Sequence, residues 1–499
     1  MSLSIVNSRA KLGLSSPLVS VEVHLSNGLP AFNIVGLPET AIKESKDRVR
    51  SAIINSKFEF PNRRITVNLA PAELPKGGSR FDLAIAIGIL AASEQIPKQP
   101  LKEYEFIGEL ALSGELRGIE AILPSVIACA SANKQLILSR QNANEACLVE
   151  SATLLAAEHL LEVTAHLHQS KPLDRWIAKS TVQAITSPEI NEVIGQKQAK
   201  RALEIAACGG HHMLLYGPPG TGKSMLAARL PGILPCMTNP EALEVACVHS
   251  IAQKKTHKNL WQRPFRSPHH SASATAIVGG GSSPQPGEIS LAHQGILFLD
   301  ELPEFQRSVL EMLREPLETG EIHISRAAAQ LTFPAQFQLI AAMNPCPCGY
   351  LGSHRCDCSA EKIARYQGKI SGPILDRIDL HIPVNNIETQ QLFQAQQNLE
   401  GDSNQQIIQR VNQARRLQMA RQRTVNARLD NQQLKKVCPL NCQQQDFLNR
   451  AIKSYKLSTR SFYRLLKVAR SIADLAGHQT PDLSAYQEAL SYRNQFTTG

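Results

Sequence analysis

The sequence predicts an α/β fold, and three stretches carry that prediction. His211-His-Met-Leu-Leu-Tyr-Gly-Pro-Pro-Gly-Thr-Gly-Lys-Ser224 places an apolar strand before a glycine-rich turn, and a helical run follows that stops at Pro231. Gly295-Ile-Leu-Phe-Leu-Asp-Glu301 is a second apolar strand, ending in two carboxylates. The first 165 residues alternate short strands with helical segments, as an α/β unit of their own requires.

With 499 residues the chain has room for about three domains. A hydrophobic content of 43% with 19% charged residues describes a globular protein with ample core. The longest apolar run, Leu83–Ala92, is too short to cross a bilayer. The opening Met-Ser-Leu-Ser-Ile-Val-Asn-Ser-Arg lacks a basic segment followed by an apolar one, so a cytoplasmic address and no membrane partner are expected. Eleven cysteines without an export signal argue against a disulfide framework. The net charge of +10 is uneven: from Gln391 onward there are sixteen Lys/Arg against seven Asp/Glu. A basic tail on a nucleotide-binding chain suggests a polyanionic partner, nucleic acid first; a merely solvated arginine-rich surface is the competing reading.

Residues 1–169 form the first expected domain. Val19–Leu25 and Arg64–Leu69 alternate as strands, while Ser45–Ile54 and Asp82–Ala91 have helical character. Residues 170–190, of mixed polarity with prolines near both ends, are the expected linker.

The second expected domain, 191–390, holds the chemistry. Gly217, Pro218, Pro219, Gly220, Thr221, Gly222, Lys223 and Ser224 match G-x-x-x-x-G-K-[ST] in full. The glycines let successive N–H groups turn toward phosphate oxygens at a helix N-terminus. Lys223 is expected to reach the β- and γ-phosphates of ATP, and Ser224 to ligate Mg²⁺. About eighty residues later Asp300 is placed to hold the same Mg²⁺, and Glu301 to polarise the attacking water. The strand Phe337–Asn344 ends in Asn344, which either orients that water or caps a turn before Pro345. Arg377, in Leu375-Asp-Arg-Ile-Asp379, reads as an arginine finger or as a guanidinium satisfied by its acidic neighbours. Cys346, Cys348, Cys356 and Cys358 put four thiols within thirteen residues, enough for a tetrahedral structural Zn²⁺ site, with free thiols as the alternative. The third domain, 391–499, is a basic helical lid, with amphipathic runs at Ile407–Ala420 and Ser461–Leu475.

These motifs together carry a resemblance. Asn191-Glu-Val-Ile-Gly-Gln196, the phosphate loop, Leu299-Asp-Glu-Leu302, Met343-Asn-Pro-Cys-Pro-Cys-Gly349, Leu375–Asp379 and Leu457-Ser-Thr-Arg-Ser-Phe-Tyr-Arg464 resemble the Mg-chelatase-like AAA+ ATPases, in the YifB/ComM branch. The resemblance covers essentially the whole chain. It implies an AAA+ P-loop core with a helical lid, assembled as a homo-hexamer, with Arg377 acting on the adjacent subunit's ATP and Arg460 as the sensor-2 arginine. It also implies a DNA helicase that promotes branch migration on single-stranded or branched DNA during natural transformation. In related ring helicases a hairpin before the Asn344 strand carries a basic residue into the pore; Arg326, in Glu321–Phe333, occupies that place. Residues 1–169 resemble the Lon-protease-like, ribosomal-S5-domain-2-like domain of Mg-chelatase subunits through Phe32–Glu39, Val67–Ala72 and Pro75–Asp82. The position of the Lon nucleophile falls on Arg80, and Gly114–Pro124 lacks the Lys-x-Lys that would supply a base, so a scaffold or DNA-contacting module is expected there. A magnesium-chelatase motor subunit and a protein-remodelling ATPase remain the rival readings.

Overall fold

The computed structural model describes residues 3–36, 40–177, 187–252, 261–281, 284–326, 329–387, 401–455 and 457–493, the side chains of 40–43, 325, 326 and 329 apart. The chain divides into two compact units: residues 1–183 with 242–260 and 327–331, and residues 184–241, 261–326 and 332–499.

The first unit is built on a seven-stranded mixed sheet. Its strands are β1 (Leu3–Arg9), β2 (Leu18–Ser26), β3 (Ala31–Val35), β4 (Arg64–Ala70), β5 (Tyr104–Ile107), β6 (Gln135–Ser139) and β7 (Thr153–Ala157), in the order β3-β4-β2-β1-β5-β6-β7. Period-two alternation does what was expected of it: Val19, Val21, Val23 and Leu25 of β2 are buried on one face, as are Ile65, Val67 and Leu69 of β4. Helix α1 (Thr40–Asn55) and the wholly buried α2 (Asp82–Ala92) cover that face. Gly88 is required in α2, because a Cβ there would stand 2.5 Å from Val23 Cγ2. Asp82, at the first turn of α2, is buried and tied to Arg48 at 2.8 Å; burial pushes its carboxyl up against that pairing. Arg80 is 4% exposed and donates to the Glu120 carbonyl at 2.9 Å, and burial lowers its guanidinium to about 10. This position is structural and offers no nucleophile. The unit runs further than composition suggested: Trp176 N–H donates to Leu154 O at 2.9 Å and Arg175 bridges Leu155. The start of the expected linker therefore belongs to this unit, and residues 178–186 lie outside the described residues.

The second unit holds an all-parallel five-stranded sheet. Its strands are β8 (Met213–Tyr216), β9 (Phe265–Arg266), β10 (Ile296–Leu299), β13 (Gln338–Met343) and β14 (Leu380–Pro383), ordered β9-β10-β13-β8-β14. Between β10 and β13 a two-stranded hairpin is formed by β11 (Glu321–Arg326) and β12 (Ala329–Pro334); the Arg326 side chain is not among those described. Continuous apolar runs such as Leu339–Met343 suit strands buried on both faces. Helix α3 (Lys197–Gly209) packs on the sheet, and α4 (Lys223–Arg229) follows the glycine-rich turn. Residues 401–493 are helical: α5 (Asn404–Gln422), α6 (Asn431–Val437), α7 (Cys442–Tyr455), α8 (Thr459–Leu475) and α9 (Leu483–Ser491). Ser403 and Asp430 start α5 and α6 with capping boxes, closed by Gln406 and Gln433. One apolar cluster runs from Leu203 and Ile340 of the core to Val411, Leu465 and Tyr486 of the helices, so core and helical part fold as one body. No described helix is long and apolar enough to cross a membrane.

The helical part is pinned by a buried charge group. Arg470 is fully buried and meets Asp474 at 2.7 Å, while Asp474 also takes Arg421 at 2.8 Å and Asn426 at 2.8 Å. Burial raises the Asp474 carboxyl, but the Arg421 hydrogen bond and the Arg470 charge outweigh it, and its net pKa is lowered. A carboxyl depressed in the folded state contributes stability above its ordinary pKa, and that contribution is lost as pH falls. Asp474→Ala leaves Arg470 buried without its partner, and a loss of roughly 3–5 kcal/mol is expected, read as a lower urea midpoint. Replacing Arg470 and Asp474 together by apolar residues should recover much of it.

Candidate active site

Parallel strands deliver their C-terminal ends to one edge. Tyr216 of β8 stands level with Met343 of β13, and Leu299 of β10 with Ala341. The next residues, Gly217, Asp300 and Asn344, therefore emerge side by side, where ligand sites of parallel α/β sheets form.

The loop between β8 and α4 has the conformation its glycines permit. Gly220 and Gly222 adopt φ of 76° and 89°, and a Cβ on either would meet nothing within 4 Å. Gly217 is needed for a different reason: a Cβ there would lie 2.0 Å from the Val384 carbonyl oxygen. Lys223 Nζ donates to Gly217 O at 2.8 Å, Pro218 O at 2.7 Å and Asn344 Oδ1 at 3.1 Å. Burial lowers the pKa of this ammonium, with Asp300 opposing. Thr221 Oγ1 donates to Pro218 O and closes the turn. Ser224 Oγ donates to Asp300 Oδ2 at 2.5 Å. Adjacent ligands of an octahedral Mg²⁺ lie about 3 Å apart, so the hydroxyl and carboxylate fit such an ion after slight widening. Asp300 Oδ1 also accepts the Glu301 N–H at 2.9 Å, and Glu301 takes the left-handed φ of 51°.

Two side chains near this group had no signal in the sequence. His270 Nδ1 lies 3.2 Å from Glu301 Oε2, and its ring packs against His269 with centroids 4.1 Å apart. Neither histidine falls in a periodic run or a metal-ligand spacing, so only the fold brings His270 to Glu301.

The four cysteines also converge. Cys346 Sγ is 3.3 Å from Cys348 Sγ and 3.8 Å from Cys356 Sγ, Cys348 and Cys356 are 3.6 Å apart, and all four sulfurs lie within 4.8 Å of one another. Sulfurs around a tetrahedral zinc stand about 3.8 Å apart, so the set fits a soft divalent metal. The Tyr350 backbone hydrogen bond and the Cys346 thiol bring Cys348 down to about 6, whereas Cys358 is raised despite a backbone hydrogen bond from Cys348. One thiolate forms readily here, and a second meets repulsion unless a cation is bound. The loop rests on the phosphate loop: a Cβ on Gly349 would stand 2.6 Å from Pro219 Cδ.

Arg377 and Arg460 do not join this group. Arg377 precedes β14 and Arg460 opens α8, at the N-terminal edge of the sheet, a strand length of about 13 Å from the phosphate loop. Arg377 is 5% exposed, donating to Pro373 O at 2.7 Å and Glu318 Oε1 at 2.5 Å; Arg460 pairs with the same Glu318 oxygen. The strands separate Arg460, expected as the sensor-2 arginine, from Lys223 of its own chain. Glu318, the carboxylate that gathers both guanidiniums, had no signal in the sequence.

The parallel sheet in the order β9-β10-β13-β8-β14, with its glycine-rich loop between β8 and α4, defines a P-loop ATPase core of the AAA+ class. Three family descriptions tile the chain: "Subunit ChlI of Mg-chelatase" matches residues 21–142, "Magnesium chelatase, subunit ChlI" 189–392, and "Magnesium chelatase, subunit ChlI C-terminal" 401–493. The competence protein ComM of Haemophilus influenzae is 50% identical, covering 99% of this chain and 98% of its own. The uncharacterized protein YifB of Salmonella typhimurium is 49% identical over 99% and 97%. The magnesium-chelatase 38 kDa subunit of Acidiphilium rubrum is 27% identical, over 31% of this chain and 51% of its own. The chain belongs to the YifB/ComM family of Mg-chelatase-like AAA+ ATPases.

The loop geometry has a direct test. Gly217→Ala forces a methyl into the Val384 carbonyl, and a loss of at least about 2 kcal/mol is expected, measured as a lower denaturation midpoint without nucleotide. Gly220→Ala, with open space around it, should cost less, through backbone strain alone.

Proposed function

We propose that this protein is a Mg²⁺-dependent ATPase that works as a homo-hexameric ring on single-stranded or branched DNA, driving branch migration in recombination during natural transformation. The observation that carries the proposal is the 50% identity, over 99% of the chain, to a competence protein, joined to the loop geometry around Lys223. Bound Mg²⁺·ATP supplies the phosphoanhydride to be cleaved. Lys223 exchanges its carbonyl partners for phosphate oxygens, and Ser224 and Asp300 hold the metal. Glu301 accepts a proton from the attacking water, oriented by Asn344, as the bond between the β–γ bridging oxygen and the γ-phosphorus breaks.

Arg377 and Arg460 support the ring. Facing away from their own nucleotide, they serve a neighbour's, and Glu318 holds them in the meantime as a stand-in anion. Arg326 on the β11–β12 hairpin is assigned to DNA phosphates in the pore. The test of this reading is ATPase activity titrated with single-stranded DNA, forked DNA and an unfolded protein: stimulation by the protein alone would point to a remodelling ATPase instead.

Glu301→Gln should keep ATP binding while turnover falls by at least about a hundredfold, the usual weight of a general base. Arg377→Ala and Lys223→Ala chains, each inactive, should recover part of their turnover when co-assembled, because the mixed ring contains interfaces with both groups intact. No recovery in proven mixed rings would place Arg377 within its own chain.

The cysteine set is assigned to structural zinc. Protein purified without chelator should carry about one zinc per chain, and Cys346→Ser with Cys348→Ser should release it and lower the melting temperature. Metal analysis that finds none would leave four reduced thiols.

A further inference from the structure

A cavity of about 1390 Å³ lies between the N-terminal edge of the ATPase sheet and helices α5 and α8, on the side of the sheet away from the phosphate loop. Its volume exceeds the roughly 300–1,000 Å³ of ordinary small-molecule sites. Eight basic side chains line it against three acidic ones. Each acid is already engaged: Glu241 by Arg263 at 3.1 Å, Asp379 by Arg464 at 2.6 Å, and Glu318 by Arg377 and Arg460 together.

Several cations in the wall form no ion pair among the described residues. Arg415 donates to the Ala207 carbonyl at 2.7 Å and Lys467 to the Ala427 carbonyl at 3.0 Å, while Arg416 and Arg423 are exposed and form no ion pair among the described residues. A carbonyl satisfies an N–H but leaves the charge uncompensated. Arg415 and Lys467 are partly buried, and a partly buried cation without a counter-charge is costly, a cost that an anion relieves. The titration directions agree: burial and then Arg263 lower Arg415 to about 10, and burial lowers Lys467, with Asp379 opposing and Arg464 adding to the fall.

We infer that this cavity is a second phosphate-binding site, taking a multiply charged phosphate ligand on Arg415, Arg416, Arg423 and Lys467. Two sources share that chemistry, a nucleoside triphosphate and the backbone of a single DNA strand. The strand arm deepens the DNA reading above; the nucleotide arm is independent of it. None of these four residues belongs to the phosphate loop or to the hairpin.

The full chain carrying Lys223→Ala, which silences the phosphate loop, is titrated by fluorescence anisotropy with two probes. One is a labelled non-hydrolysable ATP analogue, and the other a labelled oligothymidylate of about twelve nucleotides, within the length that a single-strand site covers. Arg416→Ala with Arg423→Asn is then added; Arg423 ends α5 with φ of 57°, and asparagine tolerates that backbone. Binding of at least one probe should fall about tenfold, and for the strand the salt dependence should drop by about two ions. Loss confined to the analogue identifies a nucleotide site, and loss confined to the oligonucleotide a strand site. If both affinities are unchanged in a chain of unaltered melting temperature, the inference is wrong. If Arg326→Ala alone abolishes oligonucleotide binding and the cavity pair changes neither probe, the DNA reading stands and the second site falls. If no chain binds the oligonucleotide while the analogue still responds to the cavity pair, the reverse holds.

Discussion

Strand direction is the constraint on which the ATPase unit depends. All five strands of its sheet run the same way, so every loop leaving a strand end joins Lys223, Asp300 and Asn344 on one edge. Every residue entering a strand is sent to the other edge, which is why Arg377 and Arg460 meet Glu318 instead of the phosphate loop. On the proposed roles of Arg377 and Arg460, a single chain carries both halves of a hydrolytic site on opposite edges. Closing the site across a subunit boundary follows from that separation, and the ring is the proposal that satisfies it.

Much of this was legible in the sequence because local pattern and local chemistry coincide there. The G-x-x-x-x-G-K-[ST] loop is one turn whose geometry its own glycines set, and the alternation in β2 and β4 reports burial on one face directly. The four thiols fall within thirteen residues, so their grouping was visible in the spacing, and the turns of the loop bring their sulfurs within 4.8 Å of one another. What stayed hidden depends on where strands lie in the sheet. His270 reaches Glu301 because β9 is paired to β10, and no spacing along the chain encodes that neighbour. The edge on which Arg460 stands was hidden for the same reason: a motif identifies an arginine, whereas the sheet decides which edge it occupies. The linker boundary erred because Trp176 and Arg175 are tied by backbone bonds, which composition does not record.

The helical part shows how charge can serve specificity inside an apolar unit. Leu465, Leu466 and Val468 of α8 join the core cluster, while two turns of the same helix carry Arg470 and Asp474 to zero and 2% exposure. Apolar contacts would tolerate a slip of α8 along its neighbours. The arginine–aspartate–asparagine group tolerates none, because any slip leaves a buried charge without its partner. The same logic applies in the first unit, where Asp82 and Arg48 fix the wholly buried α2 against α1.

Gly349 has no side chain, and its backbone rests on Pro219. The sulfur loop thus meets the phosphate cradle with bare main chain on one side and the Pro219 ring on the other. The zinc proposed for the four thiolates would remove freedom from the loop that braces Pro219, and its loss would return that freedom to the cradle. On that proposal nucleotide affinity would become a gauge of metal supply and of thiol damage. If the cysteine set holds the proposed zinc, a chain stripped of that ion would keep every group that handles water and phosphate yet grip its fuel less tightly, so starvation for metal would be felt first as hunger for ATP.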